Sequence, residues 1–335
     1  MFRFKKVDLE DLKTTIQLFS RKTNIPPYIV EKDYWLTLIL NYLFNFSKWK
    51  QNIVFKGGTS LSKCFGIIKR FSEDIDLILD WRVLGYKNDE IWSCRNNSQQ
   101  NKFNNQINIK TQEFLEEYFL PEIKKFLREN YPYKFDVFIE ENDKQSIIIK
   151  YPKLFIDDYI STQIKLEIGV LAAWTPSKIV NVKPDLYSIY PQLFEGTEIK
   201  IKTVLPSRTF WEKITILHKE HNRDANKKMN ARYARHYYDV YSFIGTNFLA
   251  EAFLDYKLLY KVVKFKQKFY YTKWAKYEEA TIDKIKIVPE EYRINEIKED
   301  YEHMKQMIYG DIPPFELIIE NLKILEEQIH KLNKK

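Results

Sequence analysis

Phe55-Lys56-Gly57-Gly58-Thr59-Ser60-Leu61-Ser62-Lys63, followed by Arg70-Phe71-Ser72-Glu73-Asp74-Ile75-Asp76-Leu77, decides the reading of this chain. Ile53-Val54-Phe55 is a short strand that Gly57-Gly58 ends, residues 59–69 read as a helix, and Ile75 to Leu79 reads as a second strand. Two glycines let a backbone approach a phosphate closely, and a helix start presents free N–H groups to it. Thr59 and Ser60 add hydroxyl donors. In a strand, positions i and i+2 share a face, so Asp74 and Asp76 project together while Ile75, Leu77 and Leu79 take the buried side. Two adjacent carboxylates repel unless a cation lies between them. Mg²⁺, with Mn²⁺ as the alternative, suits such a pair, because it takes one or two carboxylates plus substrate phosphates. A third carboxylate, Glu167, lies on the polar face of Gln163-Ile164-Lys165-Leu166-Glu167-Ile168-Gly169 and completes the metal site if that strand neighbours the first. Alone, each piece is an ordinary turn or a solvated strand face; the order of the pieces carries the reading.

The rest of the chain bounds what surrounds this stretch. Its 335 residues allow two domains with sizeable cores. Hydrophobic residues make up 44% and aromatics 16%, which excludes a disordered chain, and Gly 8 with Pro 12 excludes collagen-like sequence. Cys64 and Cys94 cannot build a disulfide framework. No apolar run reaches the ~20 residues of a membrane span, and the N-terminus lacks the apolar core of a signal peptide. The expectation is a cytoplasmic protein with no membrane partner. The net charge of +8 favours acidic partners such as nucleic acid or nucleotides only weakly.

Residues 8–22 and 28–46 read as helices, 86–110 as an Asn/Gln-rich loop, 111–129 as a helix, 134–140 and 145–151 as a hairpin, and 176–192 as turns. After Pro206 helical patterns dominate. The expected fold is α/β: residues 1–205 as a small mixed sheet with flanking helices, and 206–335 as a mainly α-helical domain.

The Gly57-Gly58-Thr59-Ser60-Leu61 and Ser72-Glu73-Asp74-Ile75-Asp76 stretches resemble the signature of the polymerase-beta-like nucleotidyltransferase superfamily. Arg208-Thr209-Phe210-Trp211-Glu212-Lys213 and Arg232-Tyr233-Ala234-Arg235-His236-Tyr237-Tyr238-Asp239-Val240-Tyr241 resemble the two later motifs of its AbiEii group, toxins of bacterial toxin–antitoxin and phage-defence systems that include MenT-like enzymes. The resemblance spans residues 55 to 241. It implies transfer of NMP from an NTP, for some relatives to the 3′ end of tRNA, with the NTP in a cleft between the two domains. It implies Asp74, Asp76, Glu167, Lys213 and Asp239 as catalytic residues, and Gly57, Gly58, Thr59, Ser60, Lys63, Ser72 and Lys213 as nucleotide-binding ones. It also implies a cognate antitoxin. Some antitoxins of related systems phosphorylate a serine such as Ser72, where added negative charge would repel an NTP.

Lys213 lies at the edge of the stripe Phe210, Ile214, Leu217, either aimed inward as a triphosphate ligand or extended beside Glu212 at the surface. Arg232, Arg235, His236 and Asp239 share one helix face, and Asp239 either pairs with Arg235 or orients Lys213. Between 257 and 277, seven lysines interleave with aromatics and no acid occurs. The aromatics read as core, whereas Lys264, Lys266 and Lys268, together with Arg232 and Arg235, are candidates for an RNA acceptor's phosphates. His218 and His221 lack further ligands for zinc, and Cys64 reads as a buried small hydrophobe. Two other readings stay open: transfer to a protein or small-molecule hydroxyl, and an idle RNA- or NTP-binding module. The paired carboxylates count against the idle module, because binding alone does not need them.

Overall fold

The structure, a computed structural model, describes residues 1–72, 74–156 and 161–332. The chain forms two compact units, one of residues 1–64, 73–95 and 102–203, the other of 65–72, 96–101 and 204–335.

The strands are β1 (Arg3–Phe4), β2 (Ile53–Lys56), β3 (Asp74–Leu79), β4 (Asp136–Ile139), β5 (Ser146–Lys150), β6 (Gln163–Gly169), β7 (Ser177–Val182), β8 (Phe194–Glu195) and β9 (Ile199–Val204). The helices are α1 (Leu9–Thr23), α2 (Pro27–Asn41), α3 (Gly57–Lys63), α4 (Asn88–Trp92), α5 (Asn97–Phe114), α6 (Leu120–Asn130), α7 (Pro206–His221), α8 (Ala234–Tyr241), α9 (Asn247–Leu254), α10 (Leu258–Phe269), α11 (Ile294–Met304) and α12 (Phe315–His330). None of the described helices is long and apolar enough to cross a membrane.

The first unit is built on a seven-stranded mixed sheet in the order β4-β5-β6-β3-β2-β9-β7. β3 runs antiparallel to β2 and parallel to β6, with Asp76 opposite Lys56 on one side and Glu167 on the other. The alternation read in the sequence holds around the acids: Ile75, Leu77 and Leu79 of β3 and Ile164, Leu166 and Ile168 of β6 are buried, while Asp74, Asp76, Lys165 and Glu167 are half-exposed; Ile78 is buried as well. The 134–151 hairpin forms as β4 and β5, whose Ile147-Ile148-Ile149 run suits a strand buried on both faces. Helix α1 starts where the Asp8 carboxylate accepts from the Glu10 N–H at 2.9 Å, and it ends at Asn24 in the left-handed region at φ 58°.

Two stretches depart from expectation. The 86–110 segment is not a loop but contains α4 and most of α5. Gln100, Phe103, Ile107, Thr111 and Phe114 form a narrow buried stripe at helical spacing, and the Asn and Gln residues around it hide so thin a signal. Strand β7 lies inside the expected turns of 176–192, and β9 precedes Pro206. β7 is an end strand of the sheet, so its sequence shows little apolar alternation.

The second unit is helical. Phe210, Trp211, Ile214 and Leu217 of α7 are fully buried, and α7 packs on α8, α9 and α10. Helices α11 and α12 pack on α8. The basic stretch 257–277 is not one helix: α10 stops at Phe269 and short 3₁₀ turns follow.

Candidate active site

In the first unit, pairing of Lys56 with Asp76 brings the turn after β2 against the acidic strand. Gly57 has φ +82°, and a Cβ built there would lie 1.9 Å from Asp76 Oδ2. The Asp76 carboxylate therefore rests over the bare Cα of Gly57, and glycine is required both for the turn and for that approach. Thr59 donates its hydroxyl to the Asp74 carbonyl, and Ser60 donates to the Gly57 carbonyl at 2.9 Å. The two hydroxyls expected on phosphate thus fix the turn and the acidic strand to each other.

Asp74 and Asp76 are half-exposed on one face of β3, and Glu167 stands in register beside Asp76 on β6. Glu167 is engaged: Lys165 Nζ lies 3.2 Å from its carboxylate, 3.0 Å from Glu140 and 3.3 Å from Asp143. Partial burial works against the Lys165 charge, but these acids outweigh it and hold the ammonium more firmly protonated than usual. No group of three or more His, Cys, Asp or Glu side chains among the described residues is poised to hold a metal. Two carboxylates on one face, one of them seated on a glycine, are nonetheless a donor set that suits a Mg²⁺ ion whose remaining ligands are phosphate and water.

Lys63, expected on phosphate, ion-pairs with Asp33 of α2 and with Asp185 at 2.8 Å. Burial and the Asp185 charge push the Asp33 carboxyl up to about 6 despite the adjacent ammonium. Asp33 also accepts from the Asp185 N–H at 2.7 Å. It is one of three successive buried charges, since Glu31 accepts from the Leu154 and Phe155 amides and Lys32 donates to the Ser161 carbonyl. In the sequence these charges are simply part of the 28–46 helix, and nothing local marks their partners.

The second unit holds a different arrangement. Asp239 is fully buried. Lys213 Nζ lies 2.6 Å from its Oδ2, and Arg70 grips both oxygens, Nε at 2.6 Å and Nη2 at 2.8 Å. Burial alone would raise the Asp239 carboxyl, but Arg70 and Lys213 hold it well below the usual range. Lys213 is buried too, which lowers its own pKa, and nearby Arg70 adds to that. Of the two positions open to Lys213, the structure takes the inward one. Of the two partners open to Asp239, it takes Lys213 rather than Arg235. Nothing local in the sequence marks Arg70; what places it is the pairing of 69–71 with 307–309. His236 lies one turn before Asp239, with a buried Nδ1 that has no hydrogen-bond partner among the described residues. Ser72 is half-buried in this unit, and Glu73 lies outside the described residues.

The family model "Nucleotidyl transferase AbiEii toxin, Type IV TA system" matches residues 38–321. The chain belongs to the AbiEii family. It is thus a member of the polymerase-beta-like nucleotidyltransferase superfamily and carries a catalytic nucleotidyltransferase domain. Among solved structures it is similar to MenT4, nucleotidyltransferase toxin Rv2826c from Mycobacterium tuberculosis H37Rv, at 13% identity and TM-score 0.44, over 95% of this chain and 98% of that one. No curated protein matches it.

The remaining candidates of this AbiEii chain have structural partners. Lys264 is exposed, whereas Lys266 and Lys268 are half-buried, and Lys266 donates to the Glu212 carbonyl at 3.2 Å. Phe265 and Phe269 are core, as read from the sequence. Arg232 is exposed at φ 67°, with its amide on Asp300, and Arg235 is half-buried. His218 accepts from the Lys286 amide through Nδ1, which leaves Nε2 to donate to the Lys276 carbonyl. Burial lowers its pKa, so it is a neutral core histidine. Burial pushes the Cys64 thiol up to about 12.

Proposed function

We propose that this AbiEii chain transfers NMP from an NTP to the 3′ end of tRNA, as the toxin of a toxin–antitoxin or phage-defence pair with a cognate antitoxin. The observation that carries the reading is the Asp74–Asp76 pair on one strand face with Asp76 seated over Gly57. A binding module has no need of two like charges beside each other, whereas phosphoryl chemistry does.

Asp74 and Asp76 would hold Mg²⁺, with Mn²⁺ as the alternative. When bound, the metal would offset triphosphate charge and acidify the acceptor hydroxyl. The acceptor oxygen attacks the α-phosphorus in line, a P–O bond forms, and pyrophosphate leaves. Glu167 is the proposed acceptor of the hydroxyl proton, held in register beside Asp76 and oriented by Lys165. The Gly57-Gly58 backbone permits close approach of phosphate, and Lys213, positioned by Asp239, is proposed to meet phosphate oxygens. Asp239 is then a positioning residue. Lys63 and Ser72 are the weaker members of the nucleotide set, since Lys63 already serves two carboxylates. Lys264, Lys266, Lys268, Arg232 and Arg235 are proposed to meet the RNA backbone.

The test is incubation of purified protein with Mg²⁺ and each α-labelled NTP, with total tRNA or with protein extract, beside Asp76→Ala. Label in tRNA that is lost in the variant supports the reading. Label in protein redirects it to protein nucleotidylation. Bound NTP with no label in either pool overturns it in favour of an idle module.

A further inference from the structure

We propose that the free edge of β4 is a docking groove for an extended, acidic peptide segment of a partner protein, which adds to the sheet as one more strand. β4 is the terminal strand of the seven-stranded sheet, and among the described strands it pairs with β5 alone. In an antiparallel pair, successive residues turn their backbone groups alternately toward and away from the partner. Glu140 donates to the Ser146 carbonyl at 2.9 Å, so Phe138 and Asp136, at the same parity, also face β5. The N–H and C=O groups of Val137 and Ile139 therefore face outward, in position to pair with a further strand.

A groove of about 670 Å³ opens at the first half of this strand, at Asp136 and Val137, with the C-terminal half of α6, which also packs on β4, as its other wall. A strand edge that opens onto a groove is the geometry by which folded domains capture extended peptides. Lys124, Arg128 and Lys134 line it against a single acid, Asp136, and all four are exposed. A short strand with a nearby lysine is also how sheets guard an edge against aggregation, but that defence needs no groove.

Charge complementarity selects an acidic occupant, and the aromatic floor selects peptide over RNA. Tyr131 and Tyr133 are buried and stack on each other, with ring centroids 6.1 Å apart and planes 11° apart. The Tyr133 hydroxyl donates to the Val7 carbonyl at 2.6 Å. These rings are committed to the fold and offer no open face for a base.

The experiment selects ten-residue peptides from a random phage-displayed library on the full-length protein and measures the enriched peptides by fluorescence anisotropy at two salt concentrations. The expected result is enrichment of acidic residues at alternate positions, with binding that weakens as salt rises. Arg128→Glu with Lys134→Glu should weaken binding about tenfold or more, with the unfolding temperature unchanged because both side chains are exposed. N-methylation of alternate peptide amides, which leaves the protein intact, should weaken it about tenfold or more. Failure to enrich acidic peptides, or affinity indifferent to charge reversal or to N-methylation, overturns the proposal. Displacement of the peptide by oligo-uridine at equal charge also overturns it, in favour of an RNA groove.

Discussion

The carboxylates of β3 and the carboxylate of α8 differ in their exposure to solvent. Asp74 and Asp76 are like charges side by side on a half-exposed strand face. Asp239 is fully buried between two cations. A carboxylate pair near water keeps the capacity to take a divalent cation. A carboxylate wrapped by Arg70 and Lys213 has no such capacity, and its role is to fix the position and charge of its partners. Residue type alone does not assign a role; solvent and neighbouring charge do.

The largest expected effect tests the β3 pair. Asp76→Ala should lower nucleotidyl transfer on the order of 10³-fold with the unfolding temperature nearly unchanged. A large drop in unfolding temperature instead would place Asp76 with Asp239 as a structural charge and break the comparison. Asp239→Ala should do the reverse first: it leaves Arg70 and Lys213 buried without their counter-charge and should cost about 3–5 kcal/mol of stability in denaturant unfolding. Intact stability there would mean that water enters the cluster.

Gly57→Ala sharpens the contrast from the backbone side. The added methyl meets Asp76 Oδ2, so the carboxylate must move, and the left-handed turn is strained. A destabilisation of about 1 kcal/mol is expected, with a loss of transfer out of proportion to it, measured as kcat against unfolding midpoint.

Asp33 supplies a third kind of carboxylate and a pH signature. Its folded pKa is pushed up to about 6, above the unfolded value of about 4. The stability it contributes is therefore present below about pH 4 and lost as pH rises through about 6. Asp33→Asn should flatten that part of the stability–pH profile, read from unfolding midpoints at pH 4 to 7, whereas Asp239→Asn should leave its shape there unchanged. The smallest effect belongs to α10. Replacing Lys264 and Lys268 by Ala should reduce the salt slope of RNA binding by about 1 to 2, and replacing Lys266, whose amine is on the Glu212 carbonyl, should add little.

Gly57-Gly58 and the Asp74/Asp76 pair were legible because they are local: a turn and an i, i+2 strand alternation are written within a few residues. So were the paired strands 134–151, the alternation of 163–169 and the helical character after Pro206. Helix α5 was hidden because its buried stripe is thin and mostly polar sequence surrounds it. The ion pairs of Lys63 and Arg70 were hidden for another reason, which is that their partners lie far along the chain. Asp33 and Asp185 reach Lys63 from 30 and 122 residues away, and Asp239 reaches Arg70 from 169 residues away. By itself the sequence determined the motif order, the face on which each acid projects and the family to which these point. Only the tertiary structure decided which charges are neutralised, because neutralisation and burial depend on long-range neighbours that no periodicity encodes.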